Sequence, residues 1–270
     1  YETDGTLGLQ ADAGVQIFGG WSRANPQKSL AFYSRGKYGD KSFRYKLFPD
    51  LPFDEYNNFI LRNSGNDWNS TMIRDAMITS LLDQTNVDRQ AYRPASVYLN
   101  GQYWGLLNIR EKVNEHFIAA HHQIDPLQID LLEWNASPIN GDADHYLQMI
   151  DFLNNHSPSE KENYDQVKTM MDVENFMEYQ LAQIFINNTD WPGNNIKYWR
   201  PKTPGGRWKW IIYDTDFGFD RYTNNTLAFA LATNSTDYAN APWATFLLRR
   251  LLESQEFKYG FINRFADRMN

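Results

Sequence analysis

At 270 residues with 42% hydrophobic side chains, the chain can bury a sizeable core as one large domain or two small ones, which excludes a disordered protein. A net charge of -7 speaks against a general nucleic-acid binder, and the lack of cysteine removes disulfides, thiolate metal sites and cysteine nucleophiles. No stretch reaches the roughly 18 consecutive apolar residues of a membrane span. The chain starts at Tyr1 rather than at a methionine, so it is expected to be excised from a longer protein.

From the N-terminus, short β-like runs at 15–18, 29–33 and 41–48 alternate with glycine-bearing turns, which predicts a twisted antiparallel sheet. A further strand is expected at 59–62 and a helix at 70–82, with Met72, Ala76, Ile78, Leu81 and Leu82 on its apolar side. Runs at 95–99 and 103–109 flank Asn100-Gly101, the strongest short-range signal for a type I′ hairpin. Glu111 is expected to open a helix running to Ile118, and His116, His121 and His122 read as surface residues because no H-x-x-x-H or H-E-x-x-H spacing is present. Helices follow at 144–154 and 172–186, with a polar linker at 155–160 between them. A strand at 208–213, a polar loop from Asp220 to Asn240, and helices at 243–252 and 257–269 complete the chain.

The chemistry concentrates in residues 187–220. Asp190 stands five positions before Asn195, with Pro192-Gly193 turning the chain between them. An aspartate there can take a proton from a substrate hydroxyl, and an asparagine oxygen is a neutral ligand for Mg2+. The strand at 208–213 then delivers Asp214 and Asp216, which share a face if the backbone stays extended through Thr215, and two close carboxylates favour a cation between them. A calcium loop fails on Gly218, Phe219 and Asn225. Two other classes remain open. A glycoside hydrolase or carbohydrate-binding module would use paired carboxylates and the aromatic content, which is 16%. A non-catalytic coat or adhesion protein would need none of these residues.

One ordered set of motifs spans nearly the whole chain. It comprises Gly19-Gly20-Trp-Ser-Arg23 with Pro26-Gln-Lys-Ser29, Leu61-Arg62-Asn63, Asp67, Arg74-Asp75, the hairpin Tyr98 to Gly105 with Glu111, Asn188-Thr-Asp190 to Asn195, and Asp214-Thr-Asp216. Together these resemble the CotH family of atypical protein kinases. The resemblance implies an α+β, trimmed protein-kinase-like fold, with an N-terminal antiparallel sheet and a mainly helical C-terminal part. The β-rich lobe would run over roughly 1–120 and the helix-rich lobe over roughly 121–270 of this chain.

It also implies ATP and Mg2+ or Mn2+ as cofactors, transfer to serine in a partner protein with a Ser-rich segment, and a bacterial extracellular or cell-envelope setting. Carried over by position, Lys28 would meet ATP phosphates, with Arg23, Arg62 and Glu111 also at the nucleotide. Asp190 would act as base or orient the hydroxyl, and Asn195, Asp214 and Asp216 would bind metal. Asp216-Phe-Gly218 spells the Asp-Phe-Gly of ordinary kinases. Because the strand delivers Asp214 first, Asp214 is the primary ligand in this reading and Asp216 the second.

Overall fold

The computed structural model describes residues 1–220 and 223–269. Residues 221 and 222, within the loop expected after Asp220, lie outside the described residues. The strands in chain order are β1 (Gly14–Phe18), β2 (Ser29–Tyr33), β3 (Phe43–Arg44), β4 (Glu55–Tyr56), β5 (Asn58–Arg62) and β6 (Asp88–Arg89). They continue with β7 (Tyr92–Leu99), β8 (Gln102–Arg110), β9 (Ile129–Glu133), β10 (Ser137–Asn140), β11 (Lys197–Pro201) and β12 (Lys209–Ile212). The helices are α1 (Arg74–Ser80), α2 (Glu115–His122), α3 (Asp144–Asn155) and α4 (Lys161–Met170). After them come α5 (Val173–Phe185), α6 (Thr226–Ala230), α7 (Pro242–Leu251) and α8 (Gln255–Met269). The chain is α+β, and among the described residues no helix is long and apolar enough to cross a membrane.

Two compact units form, the first from Tyr1–Met77 with Gln90–Gln123, the second from Ile78–Arg89 with the chain from Ile124 onward. In the first, an antiparallel sheet runs in the order β1-β2-β5-β8-β7. Asn100 and Gly101 between β7 and β8 both have positive φ, 51° and 79°, as the predicted type I′ turn requires. Phe43, Leu47, Phe48 and Tyr56 make a small core beneath it.

Three expectations in this unit need correction. The run at 41–48 yields only the two-residue strand β3, because the chain turns so that the Leu47 amide donates to the Tyr45 carbonyl. The helix expected at 70–82 starts only at Arg74. The buried Asp67 carboxylate already holds the Thr71 amide and hydroxyl and the Arg74 amide, and Met72 sits at φ 60°, so residues 70–73 turn rather than coil. Glu111 does not open a helix. The N-cap of α2 is Asn114, whose side chain accepts from the Phe117 amide at 3.2 Å.

The second unit contains a sheet that the sequence does not announce, in the order β10-β9-β11-β12-β6, with β12 and β6 parallel. Trp208, Trp210, Tyr198, Phe176 and Phe257 fill its core, and the Phe176 ring meets Trp210 edge-on at 4.6 Å. Asp172 caps α5, which is buried on nearly every face. The buried Asn175 on that helix spends both ends of its amide: its oxygen accepts from the Trp210 amide at 2.6 Å, and its nitrogen donates to the Asn86 carbonyl at 2.9 Å. Helix α5 is thereby locked to β12. These are the two elements whose C-terminal ends carry the acidic and amide residues of the 187–220 stretch.

Candidate active site

Four of the sequence-selected residues, Asp190, Asn195, Asp214 and Asp216, belong to the second unit. The other four, Arg23, Lys28, Arg62 and Glu111, belong to the first.

The loop after α5 is shaped by asparagines. Asn187 takes the left-handed conformation at φ 54°, and the buried Asn188 staples the chain back onto the helix. Its Nδ2 donates to Gln183 Oε1 at 2.9 Å, while its Oδ1 accepts from the Asp190 amide at 3.0 Å. Trp191, fully buried, anchors the next position. Gly193 then passes so close to the backbone of Tyr238 and Ala239 that a Cβ there would collide with the Tyr238 carbonyl, and its amide donates to the Ala239 carbonyl. Glycine is required there by space.

This framework turns Asp190 inward, leaving it 8% exposed. Its Oδ1 accepts from Asn194 Nδ2 at 3.0 Å and from the Tyr238 hydroxyl at 2.8 Å; its Oδ2 accepts from Asn195 Nδ2 at 2.8 Å. Asn195 Nδ2 also reaches the Asp214 carbonyl at 3.4 Å, which joins the loop to the end of β12. Burial raises the Asp190 pKa above the ordinary 3.8; the bonds from Asn194, Tyr238 and Asn195 oppose the shift, and the Asp214 charge adds to it. In return, the bond to Asp190 pushes the Tyr238 phenol up to about 12.

The extended geometry through Thr215 that would place Asp214 and Asp216 on one face does not occur. Asp214 has φ 53°, in the left-handed region, so the strand's alternation of faces ends there. Asp216 lies in the following turn, 3% exposed, where the Gly218 amide donates to the Thr215 carbonyl and the Phe219 amide returns to Ile186 at the end of α5. Asn195 therefore bonds Asp190 directly and reaches Asp214 through its backbone carbonyl, the Asp214 charge is felt at Asp190, and Asp216 lies in the turn that follows.

In the first unit, Lys28 Nζ donates to the carbonyls of Arg23 and Asn25 at 2.6 and 2.7 Å, closing the turn that exposes Arg23. That turn is tied to the end of β5, since Asn63 Nδ2 donates to the Gln27 carbonyl at 2.7 Å. Arg62, beside Asn63, lies 4.0 Å from the Asp75 carboxylate, which Arg110 meets at 3.0 Å. Glu111 is 4% exposed; one carboxylate oxygen accepts from the Ala91 amide and the other meets His121 Nε2, both at 2.9 Å. His121 is thus not a plain surface residue, and its ring packs 4.4 Å from that of Phe117.

The CotH kinase protein family matches residues 15–270, nearly the whole chain. The chain belongs to the CotH kinase family. It is by that membership a kinase-like phosphotransferase, and the family implies ATP and a divalent metal in general terms. A search of curated proteins finds no match.

Among the described residues no three His, Cys, Asp or Glu side chains converge on a metal position. The candidate site instead joins the Asp190 carboxylate to the Asn195 carboxamide, with the Asp214 charge close enough to raise the proton affinity of Asp190. Asn195 commits its nitrogen to Asp190 and to the Asp214 carbonyl, so Oδ1 is the atom it has to offer a metal. Such a sparse set of hard oxygens fits Mg2+, which keeps several waters and binds substrate phosphates. The mutual repulsion of Asp190 and Asp214 is what a cation would relieve.

Tyr238 and Asn194 were not found by sequence reasoning. Tyr238 lies 48 residues beyond its partner in a polar loop, and no spacing rule links a turn tyrosine to a distant aspartate.

A pH dependence follows for the metal-free protein. With its folded pKa raised, Asp190 holds a proton in the native state that the unfolded chain has lost between 3.8 and that raised value. Stability from this group is therefore full at low pH and falls as pH rises through the window. Urea unfolding in chelator is expected to show the parent gaining on Asp190→Asn between about pH 7 and pH 4. A difference that is flat, or that grows with pH, would contradict the assignment.

Proposed function

We propose that this CotH-family chain is an ATP- and divalent-metal-dependent protein kinase that phosphorylates serine in a partner protein, with its chemical step at Asp190. The observation that carries the reading is the junction of Asp190, Asn195 and the Asp214 backbone through one amide nitrogen. An aspartate followed five residues later by an asparagine, then a strand-end aspartate, is the arrangement by which protein kinases combine a hydroxyl-orienting base with metal ligands.

In this mechanism the serine oxygen bonds to the γ-phosphorus of ATP as its O–H bond breaks. The proton passes to the Asp190 carboxylate, and ADP leaves with the electron pair of the broken P–O bond. The raised proton affinity of Asp190 suits it to accept that proton. Asn195 and Asp214, with Asp216 as a further candidate, would hold the metal, which when bound neutralises charge on the phosphates. Lys28, Arg23, Arg62 and Glu111 are the proposed nucleotide contacts of the first unit.

Calorimetry with ATP in the presence of Mg2+ or Mn2+, repeated in chelator, tests the cofactor half of this reading. Binding is expected only with the metal. Binding that is absent, or indifferent to chelator, would contradict it.

A further inference from the structure

The hydrogen bonds around Asp190 are distributed unevenly. A carboxylate oxygen has two lone pairs. Among the described residues, Oδ1 accepts from both Asn194 and Tyr238, whereas Oδ2 accepts from Asn195. Oδ2 is therefore the oxygen with capacity for a further donor.

The turn that supplies Tyr238 is held from several sides. The Asp237 side chain accepts from the Ala239 amide at 2.8 Å, the Ala239 carbonyl accepts from Gly193, and the buried Asn240 donates to the Phe229 carbonyl at 3.1 Å. A 68% exposed tyrosine thus has a fixed backbone and a hydroxyl directed at a buried carboxylate. Tyr238 also lines a groove of about 700 Å³, together with Thr189, Phe217, Asn225 and Phe229.

We infer that Tyr238 is a positioning residue for phosphoryl transfer: with Asn194 it pins Oδ1 of Asp190 and presents Oδ2 to the acceptor hydroxyl. This rests on the reading of Asp190 as the base. The tyrosine does not exchange a proton with substrate; it fixes the rotation of the carboxylate, and misorientation of a reacting group is costly even at small displacements.

Tyr238→Phe keeps the ring and the groove wall and removes only the hydroxyl. ADP release is followed at steady state with Mg2+, ATP and a Ser-Gly repeat peptide, with water as the alternative acceptor. The expected result is a kcat at least about tenfold below the parent, with the KM for ATP within about twofold, as loss of one bond to a charged group predicts. Asn194→Ala should lower kcat in the same way, and the double variant should show coupling between the two.

A Tyr238→Phe protein that turns over like the parent would overturn the inference, as would a rise in KM at unchanged kcat. Asp190→Asn, assayed alongside, separates the two levels. If Asp190→Asn is crippled and Tyr238→Phe is not, only the positioning role fails. If Asp190→Asn is undiminished, or the parent releases no ADP, the underlying reading of Asp190 fails, and the inference with it.

Discussion

Asp190→Asn is expected to slow phosphate transfer by at least about a hundredfold while weakening ATP binding only a few-fold. A group that takes or orients the hydroxyl proton acts in the transition state and has little to offer ATP in the ground state. The structure adds a reason for the small loss of affinity. In the variant, the new amide oxygen keeps Asn194 and Tyr238, but the new amide nitrogen faces Asn195 Nδ2, a second donor. Asn195 then turns its amide over, giving up its bond to the Asp214 carbonyl and redirecting Oδ1, so one neutral ligand is lost while the Asp214 charge stays, which limits the expected loss to a few-fold. Transfer assays and calorimetry on one preparation separate the two effects. If ATP is lost as completely as in a metal-ligand variant, Asp190 is a ligand or a structural residue rather than the base.

The second large effect is expected at Asp214. Asp214→Asn should weaken metal-dependent ATP binding by roughly two orders of magnitude, because under the proposed function a charged ligand of the divalent cation is replaced by a neutral one. Asparagine is the right substitution. At φ 53° an alanine would add strain of roughly 1 kcal/mol, whereas asparagine tolerates the left-handed region. Asp216→Asn is expected to cost less binding and more stability, since Asp216 is buried within the turn that follows β12. Calorimetry and urea unfolding of the two variants decide the order. Equal losses of binding, or a larger loss at Asp216, would make the Asp-Phe-Gly spelling the better guide.

Much of this architecture was legible in the sequence wherever local signals were strong. Asn100-Gly101 required positive φ at both positions and adopts it; helix α5 fell within one residue of its periodic apolar pattern at each end. The second sheet was not legible, because β9 is a five-residue run without alternation, buried almost throughout, and its partner β11 lies over sixty residues downstream. Helix α4 has only Tyr164 and Val167 buried, too few to mark a period. For the candidate site, chain proximity gave Asp190 and Asn195, and strand periodicity gave Asp214. The same periodicity misled at Asp216, because a single left-handed residue ended the strand before it. Tyr238 depended wholly on tertiary structure. A carboxylate can name its own chemistry from sequence, but the donors that orient it belong to whatever the fold packs against it.

The most direct test of the phosphotransferase centre is single-turnover transfer from γ-labelled ATP to a serine-containing acceptor, or to the protein itself, paired with ATP affinity, in the parent, Asp190→Asn and Asp214→Asn proteins. The predicted pattern is transfer lost with binding retained in Asp190→Asn, and both lost in Asp214→Asn. Transfer at the parent's rate in both variants would place the chemistry elsewhere in the chain and contradict the account.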